Sequence, residues 1–393
     1  MNQRSIVIMP GDGIGKTLLP EALRVLDAAG FRADYIPADI GWELWCRKGN
    51  PLPQRTLDLL EKHRIGLFGA ITSKPKDQAN RELNPKLQNK GFSYYSPIIR
   101  LRQHFNLDVC IRPCRTLKGN PLNFVKRIDN EMIEPDINVV VFRQNTEGLY
   151  SGLEWLNPSE AIRSALETHP KMAAFQSTPG QDMAVSCRII TRKACRRIIA
   201  EAFRYARRLG YKSVTVCEKP NILRETSGMM LVEARLVARE YPEIPLWETN
   251  IDAQMMWLNK NPEDYGVIVT SNMFGDIISD AFAGLVGGLG FANSANIGES
   301  CAIFEPTHGS APKYEKLNPS IVNPIAMILS ACLMLDYIDE TERADKIRSA
   351  IASVVAKGKV RTYDMLRMAG DDTVIARGAA STQAMTDAII EQL

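Results

Sequence analysis

Short runs of β-branched and aliphatic residues, separated by amphipathic stretches of helical period, set the narrowest limit on the fold of this chain. The runs are SIVIM (5–9), IGLFGA (65–70), INVVVF (137–142), SVTVCE (213–218) and GVIVTS (266–271). They read as nearly continuous apolar segments, the pattern of strands screened from water on both faces, as in a parallel sheet covered by helices. The helical stretches are TLLPEALRVLDAAG (17–30), ITRKACRRIIAEAFRYARRLG (190–210), SGMMLVEARLVARE (227–240) and NPIAMILSACLMLDYI (323–338). This alternation predicts an α/β fold. A length of 393 residues allows two domains or one large unit. No repeat, low-complexity tract or linker marks a boundary, so consecutive and interleaved domains both fit.

Lys and Arg number 48 against 45 Asp and Glu, a formal net charge of +3. That balance gives no case for binding nucleic acid or a membrane, and an anionic small molecule would be met by local clusters. No apolar run reaches the roughly 18 residues that cross a bilayer, and MNQRSIVIMP leads into a strand without a signal-peptide layout. A cytoplasmic location is the expectation. Eight scattered cysteines form no CxxC pair and suit buried, reduced thiols. His63, His104, His169 and His308 lack the spacing of zinc ligands, so a metal here would be held by oxygen.

The stretch MPGDGIGKTLLPEAL (9–23) invites a nucleotide-binding reading, which counting undercuts. The dinucleotide pattern G-x-G-x-x-G needs a glycine where Lys16 stands, and the phosphate loop G-x-x-x-x-G-K-[ST] needs one where Pro10 stands. A strand-to-helix turn in which Gly11, Gly13 and Gly15 relieve backbone strain is the simpler expectation.

Chemistry is better signalled at NMFGDIISDAFAGLVGGLGFANSANIG (272–298). Asp276 and Asp280 are four residues apart in a helical pattern, on one face and one turn apart. A solvated acidic pair is one reading. The neighbours Phe274, Ile277, Ile278, Phe282 and Leu285 favour another, because carboxylates on a mostly apolar helix call for a compensating cation. Mg²⁺ or Mn²⁺ would supply it and leave coordination positions for substrate and water. Asp252, in IDAQMMWLNKNP, is a third candidate ligand.

Seven segments, IMPGDGIG, RLRQHFNLDVCIRP, FRQNTEGLYSG, EKPNIL, NMFGDIISD, GGLGFANSANIG and EPTHGSAPKY, occur in this order almost from end to end. Through them the chain resembles the metal-dependent β-decarboxylating dehydrogenases, the isocitrate and isopropylmalate dehydrogenase family. The resemblance implies an α/β, two-domain fold that is not the Rossmann domain, with mixed sheets flanked by helices. Residues 1–107 and 287–393 would build a large domain, the second part carrying the NADP adenosine loop. Residues 108–286 would build a small domain with the dimer interface and metal ligands. It also makes the glycine turn a structural element and moves the cofactor to the THGSAP loop.

By the same resemblance, Ser96, Arg102, Arg112 and Arg143 bind the substrate, the arginines gripping carboxylates with their planar forks. Tyr150 and Lys219 are the catalytic pair, aided by Asp252, and Asp252, Asp276 and Asp280 are the metal ligands. The lysine and one aspartate would reach the site from a second subunit, which implies a homodimer with shared sites. Thr72, Asn221, His308, Gly309, Ser310, Ala311, Lys313, Tyr314, Asn323, Tyr363 and Arg367 are the cofactor contacts.

Lys313 stands where an acid would bind the ribose diol of NAD; an ammonium attracts a 2′-phosphate, and Tyr363 and Arg367 match the pair seen in NADP-dependent isocitrate dehydrogenases. NADP is the expected cofactor. The substrate signal is divided. SPIIRLR (96–102) keeps Ser96 but has Ile98 where isocitrate enzymes place an asparagine, and Ile98 with Ile99 resembles the apolar pair that receives an isopropyl group. Arg100 would either restore an anion contact or face solvent. The residues between Ser73 and Tyr95 form a longer loop than usual. Gln144 replaces an acid, and Glu218 and Pro220 flank Lys219 in an uncommon way. Isocitrate is the leading expectation, followed by 3-isopropylmalate, homoisocitrate or another substituted malate. A non-catalytic regulatory subunit of the same fold is the rival of another class, although it predicts a lost ligand or tyrosine.

Overall fold

The computed structural model of the protein describes residues 4–393, with the side chain of Lys76 left aside. In chain order the strands are β1 (Arg4–Gly11), β2 (Ala33–Pro37), β3 (Ile65–Ala70), β4 (Val109–Arg115), β5 (Lys126–Ile128), β6 (Glu131–Ile133), β7 (Asn138–Gln144), β8 (Glu154–Leu156), β9 (Ala184–Ser186), β10 (Val214–Glu218), β11 (Leu246–Asn250), β12 (Val267–Thr270), β13 (Asn293–Ile297) and β14 (Ala302–Pro306). Ten of them form one sheet in the order β11-β10-β12-β7-β4-β13-β14-β3-β1-β2. Two small hairpins, β5-β6 and β8-β9, stand apart from it.

The five apolar runs all become strands, but the parallel sheet they suggest is only half the answer. Pairings on both flanks are parallel, from β2 to β14 and from β11 to β7. In the middle, β4 runs against both β7 and β13, and β13 against β14. The sheet is therefore mixed, as the family resemblance implies. The two reversed strands escape an apolar-run reading because they are polar. The segment VCIRPCR carries Arg112 and Pro113, and NSANI buries Asn293, Ser294 and Asn296. Their polar groups find partners: Asn296 Nδ2 donates to Glu305 Oε1 at 2.8 Å, and Asn145 Nδ2 to Asn296 Oδ1 at 2.7 Å. The sheet passes the divisions at 107/108 and 286/287 unbroken, β4 joining β13 across both.

Helices cover the sheet by burying one stripe each. Arg192–Leu209 turns Cys195, Ile198, Ile199, Ala202, Phe203 and Ala206 inward, starts at a Thr191 hydroxyl that accepts from Ala194 N, and stops at Gly210 in the left-handed conformation. Ile325–Tyr337 is apolar all round and lies in the main core against β13 and β14.

The glycine turn after β1 is a packing device. A Cβ on Gly13 would lie 2.1 Å from the Ser310 carbonyl oxygen, and one on Gly11 would lie 1.9 Å from that of Ala70. Asp12 between them sends its carboxylate inward, where it accepts from the backbone N–H groups of Trp42 (2.7 Å), Glu43 (3.1 Å) and Thr72 (3.0 Å). The first two are donors without an intrahelical partner at the start of the Trp42–Lys48 helix. Burial nevertheless raises the Asp12 pKa, with those three hydrogen bonds opposing.

The segment 73–95 is organised on that same helix. Tyr94 packs edge-on against Trp42 (4.9 Å) and Trp45 (5.5 Å), with Ala79 and Leu83 completing the cluster, so the chain arrives at Ser96 from a fixed direction.

Two outcomes are expected. Gly13 has φ +55°, so Gly13→Ala combines a strained backbone with a backbone clash; a loss of roughly 2–5 kcal/mol should appear in urea denaturation. Asp108 is buried before β4, with Arg197 Nε 2.9 Å away but poorly aligned. Burial pushes its carboxyl up to about 6 while Arg197 pulls the other way. Because this pKa is raised, its contribution to stability is full below the ordinary carboxylate value of about 3.9 and is lost as pH rises through about 6. Asp108→Asn should flatten the decline of the urea midpoint across that window.

Candidate active site

The reversal at β4 is what gathers the arginines. Cys110 of β4 pairs with Arg143 of β7, and Arg112 with Val141, so Arg112 and Arg143 are diagonal neighbours on one face of the sheet. Both guanidiniums are almost wholly buried, and the Asn272–Leu285 helix lies over them. Gly275 lets it approach: a Cβ there would meet Arg143 Cγ at 2.6 Å.

Asp276 is the centre of the resulting cradle. Its Oδ1 accepts from Arg143 Nη1 (2.5 Å) and Arg112 Nη1 (3.1 Å), and its Oδ2 from the Tyr150 hydroxyl (2.9 Å). Arg112 Nη1 also reaches Ser279 Oγ at 2.7 Å and Asp280 Oδ1 at 3.4 Å. Arg143 Nε donates to Asn272 Oδ1 at 2.9 Å, and its guanidinium lies 5.3 Å from the centre of the Tyr150 ring. Arg102, from the Pro97–His104 helix, donates to Glu305 Oε1 of β14 at 3.0 Å.

Charge sets the protonation states. Burial works against the Asp276 carboxylate, but Arg143, Arg112 and the Tyr150 hydroxyl outweigh it and hold its pKa below the usual range. Asp280 goes up, raised by burial and by Asp276, with Arg112 opposing. Burial and the neighbouring Arg112 and Arg102 charges draw Arg143 down to about 10. Tyr150 is raised by burial and then by Asp276, which keeps its phenol protonated.

The other predicted residues fall into separate places. Lys219 Nζ contacts Asp252 Oδ1 at 2.7 Å, and this ammonium lowers the Asp252 pKa. That pair is distinct from Asp276 and Asp280; among the described residues of one chain, no three acidic, histidine or cysteine side chains converge as a metal-binding group. Asn221 is exposed beyond Lys219, and Ser96 precedes the Arg102 helix, its carbonyl accepting from Arg100 N. Within that helix, Ile98 packs on the core cluster with Leu101 and Phe105, whereas Ile99 is 37% exposed and one turn from Arg102.

Thr72 and Ser310 share a hydroxyl hydrogen bond at the edge of the glycine turn. The Pro306–Tyr314 stretch follows with His308, Gly309 and Ala311, and Lys313 Nζ lies 4.6 Å from the Tyr314 ring. Tyr314 and Tyr363 are ring neighbours at 5.4 Å. Asn323 is buried, with Nδ2 on Asp364 at 3.1 Å and Oδ1 on Ile325 N at 3.0 Å. Arg367 donates to the Pro121 carbonyl at 3.1 Å.

Sequence reasoning passed over Asn272, Ser279 and Glu305, which orient the three arginines. Their one signal was position: Asn272 and Ser279 lie inside the acidic helix motif, and Glu305 opens EPTHGSAPKY. Asn272 also donates to the Glu147 carbonyl at 3.0 Å.

A family model described as isocitrate/isopropylmalate dehydrogenase matches residues 5–389. The chain is 36% identical over 388 residues to protein DlpA of Legionella pneumophila, covering 98% of this chain and 58% of that protein's length. It is 38% identical over 360 residues to the 3-isopropylmalate dehydrogenase of Methanothermobacter thermautotrophicus, covering 92% and 93% of the two chains. The crystal structure of isocitrate dehydrogenase from Methylococcus capsulatus has 34% identity and a TM-score of 0.81, with 99% of each chain covered.

Replacing Asn272 by Ala should strand Arg143 Nε in a buried setting. A loss of about 1–3 kcal/mol is expected in chemical denaturation, and an unchanged midpoint would show that Asn272 does not hold Arg143.

Proposed function

Because this chain belongs to the isocitrate/isopropylmalate dehydrogenase family, we propose that it oxidises a 2-hydroxy acid and releases its β-carboxylate as CO₂, with isocitrate to 2-oxoglutarate and NADP as the favoured pair. Members of this family are decarboxylating dehydrogenases of small hydroxy acids, use a nicotinamide cofactor and a divalent metal, and are typically dimeric. The observation that carries the reading is the cradle in which Arg112, Arg143 and Tyr150 meet at Asp276.

The residues fit a hard cation. Asp276 and Asp280 offer oxygens from one helix face, and Asp252 offers a third from the Lys219 pair. Since the three do not converge within one chain, the reading assigns Asp252 and Lys219 to the site of a second copy. Apolar side chains left uncovered support a homodimer: Val232 and Leu236, Met256 and Trp257, Ile277, and Leu156 of the β8-β9 hairpin. A bound Mg²⁺ or Mn²⁺ would supply Lewis-acid withdrawal of electrons from the forming carbonyl, and NADP the hydride acceptor.

The chain's own groups do the rest. Arg102, Arg112 and Arg143 grip the substrate carboxylates through charge-assisted hydrogen bonds. Lys219, after its ammonium passes a proton to Asp252 or to water, takes the hydroxyl proton as the neutral amine, and Tyr150, kept protonated, delivers the proton that completes the product after CO₂ departs. The intact set Tyr150, Lys219, Asp252, Asp276 and Asp280 speaks against a non-catalytic subunit. A second substrate reading, a malate with an apolar substituent such as 3-isopropylmalate, draws support from Ile99, exposed one turn from Arg102.

The test is near-ultraviolet absorbance of reduced nicotinamide, followed with NADP or NAD, Mn²⁺ and a panel of isocitrate, homoisocitrate and 3-isopropylmalate. Turnover of one panel member, abolished by a chelator and restored by Mn²⁺, is the expected result; turnover indifferent to chelation would overturn the metal assignment. Lys313→Asp with Tyr314→Ile should reduce the preference for NADP over NAD by about tenfold or more through loss of the 2′-phosphate contact, and unchanged cofactor kinetics would count against NADP.

A further inference from the structure

Directly behind Lys219 lies a buried ion pair that the proposed chemistry does not use. Glu218 ends β10 with its side chain at 0% exposure. Its Oε2 accepts from Arg188 Nη2 at 2.9 Å and from Ser227 Oγ at 2.6 Å, and its Oε1 from Ser271 N at 2.8 Å. Arg188 donates onward to Ser271 Oγ (2.9 Å), Thr226 Oγ1 (2.5 Å) and Ser227 Oγ (3.2 Å), and its guanidinium lies 5.4 Å from the centre of the Phe274 ring. Ser227 Oγ in turn accepts from the backbone N–H of Lys219 at 3.3 Å.

A fully buried carboxylate paired with a guanidinium 13% exposed is an inefficient way to gain stability, since an apolar pair of similar volume commonly does as well. What such a satisfied network provides is geometry. Four segments meet in it: the strand end that bears Lys219, the stretch carrying Arg188, the start of the Thr226–Ala238 helix, and Ser271 at the entrance to the Asn272–Leu285 helix. The next residue, Asn272, holds Arg143, and Asp276 lies one turn further on. The backbone of the lysine and the helix of the cradle are thus fastened to a single carboxylate.

We propose that Glu218 and Arg188 are positioning residues that tie the backbone of Lys219, which this chain lends to the site of a second copy, to the helix carrying Asn272, Asp276 and Asp280 of its own site. The inference rests on the catalytic reading of Lys219 and Asp276 given above. Loss of the pair leaves both ends in place but free to shift, and a displacement near 1 Å at a reacting group costs about 10²-fold in rate.

The experiment compares wild type with Glu218→Gln and Arg188→Lys, each verified as folded by circular dichroism and its thermal midpoint. Two readouts are taken: kcat and KM on whichever hydroxy acid the wild type turns over, and the rate at which Lys219 is acetylated by acetic anhydride, followed by mass spectrometry against Lys16 and Lys313 in the same molecules. Glu218→Gln is expected to lower kcat by about tenfold or more while KM stays within about twofold, to change the relative acetylation of Lys219, and to be partly mimicked by Arg188→Lys, which keeps the charge. A folded Glu218→Gln protein with kcat and Lys219 acetylation both unchanged overturns the proposal, as does a fall in thermal midpoint with neither readout moved. Should the wild type turn over nothing in the panel, the functional reading fails separately, and acetylation alone decides: altered labelling upholds the positioning role and unaltered labelling removes it.

Discussion

Putting two guanidiniums into the middle of a β-sheet is the constraint around which this molecule is arranged. Arg112 and Arg143 lie on neighbouring strands with almost no exposure, and a buried cation without a partner is far more expensive than any contact the fold makes elsewhere. The Asn272–Leu285 helix answers that charge with Asp276, Asn272 and Ser279, and it comes close enough because residue 275 has no side chain. Helix, strands and site are consequently one solution to one electrostatic problem. Glu305 plays the same part for Arg102 from the other half of the sheet.

The direction of β4 is inseparable from this. Its antiparallel register sets Arg112 opposite Val141, two residues from Arg143 on the same face. That register makes them diagonal neighbours, and the neighbouring reversal at β13 brings Asn296 against Glu305, so polar residues run through the sheet centre as a connected chain from Asn145 to Arg102. Such a chain is tolerable in a core to the extent that its members are matched; these links are made, while Arg102 Nε and Asn145 Oδ1 are left without a partner. The apolar clusters on either side supply the stability that this central band does not.

What could be read from the amino acids alone follows the same physics. Strands such as IGLFGA and INVVVF declare themselves because both faces are apolar, and the long helices because their stripes repeat with helical period. Strands β4 and β13 are silent, since arginines and asparagines in a sheet centre are justified only by partners far away in sequence. The edge strands β2 and β11, half covered, lack the signal for the opposite reason. At the candidate site, ordered motifs pointed to Arg112, Arg143, Tyr150 and Asp276, which the structure brings together. Asn272, Glu305 and Arg188 were not legible, and Glu218 stood out only as an uncommon neighbour of Lys219, because a buried polar residue looks like any surface one until the fold supplies its neighbours.

The turn at Gly11 to Gly15 looks like a ligand motif while serving as a junction where three backbone segments cross within van der Waals distance. Its message concerns thickness: at that crossing the molecule has room for hydrogen atoms and one inward carboxylate, nothing larger. A string of small residues can thus be demanded by the chain's encounter with itself, and its resemblance to a phosphate cradle reflects only that both situations require bare peptide planes.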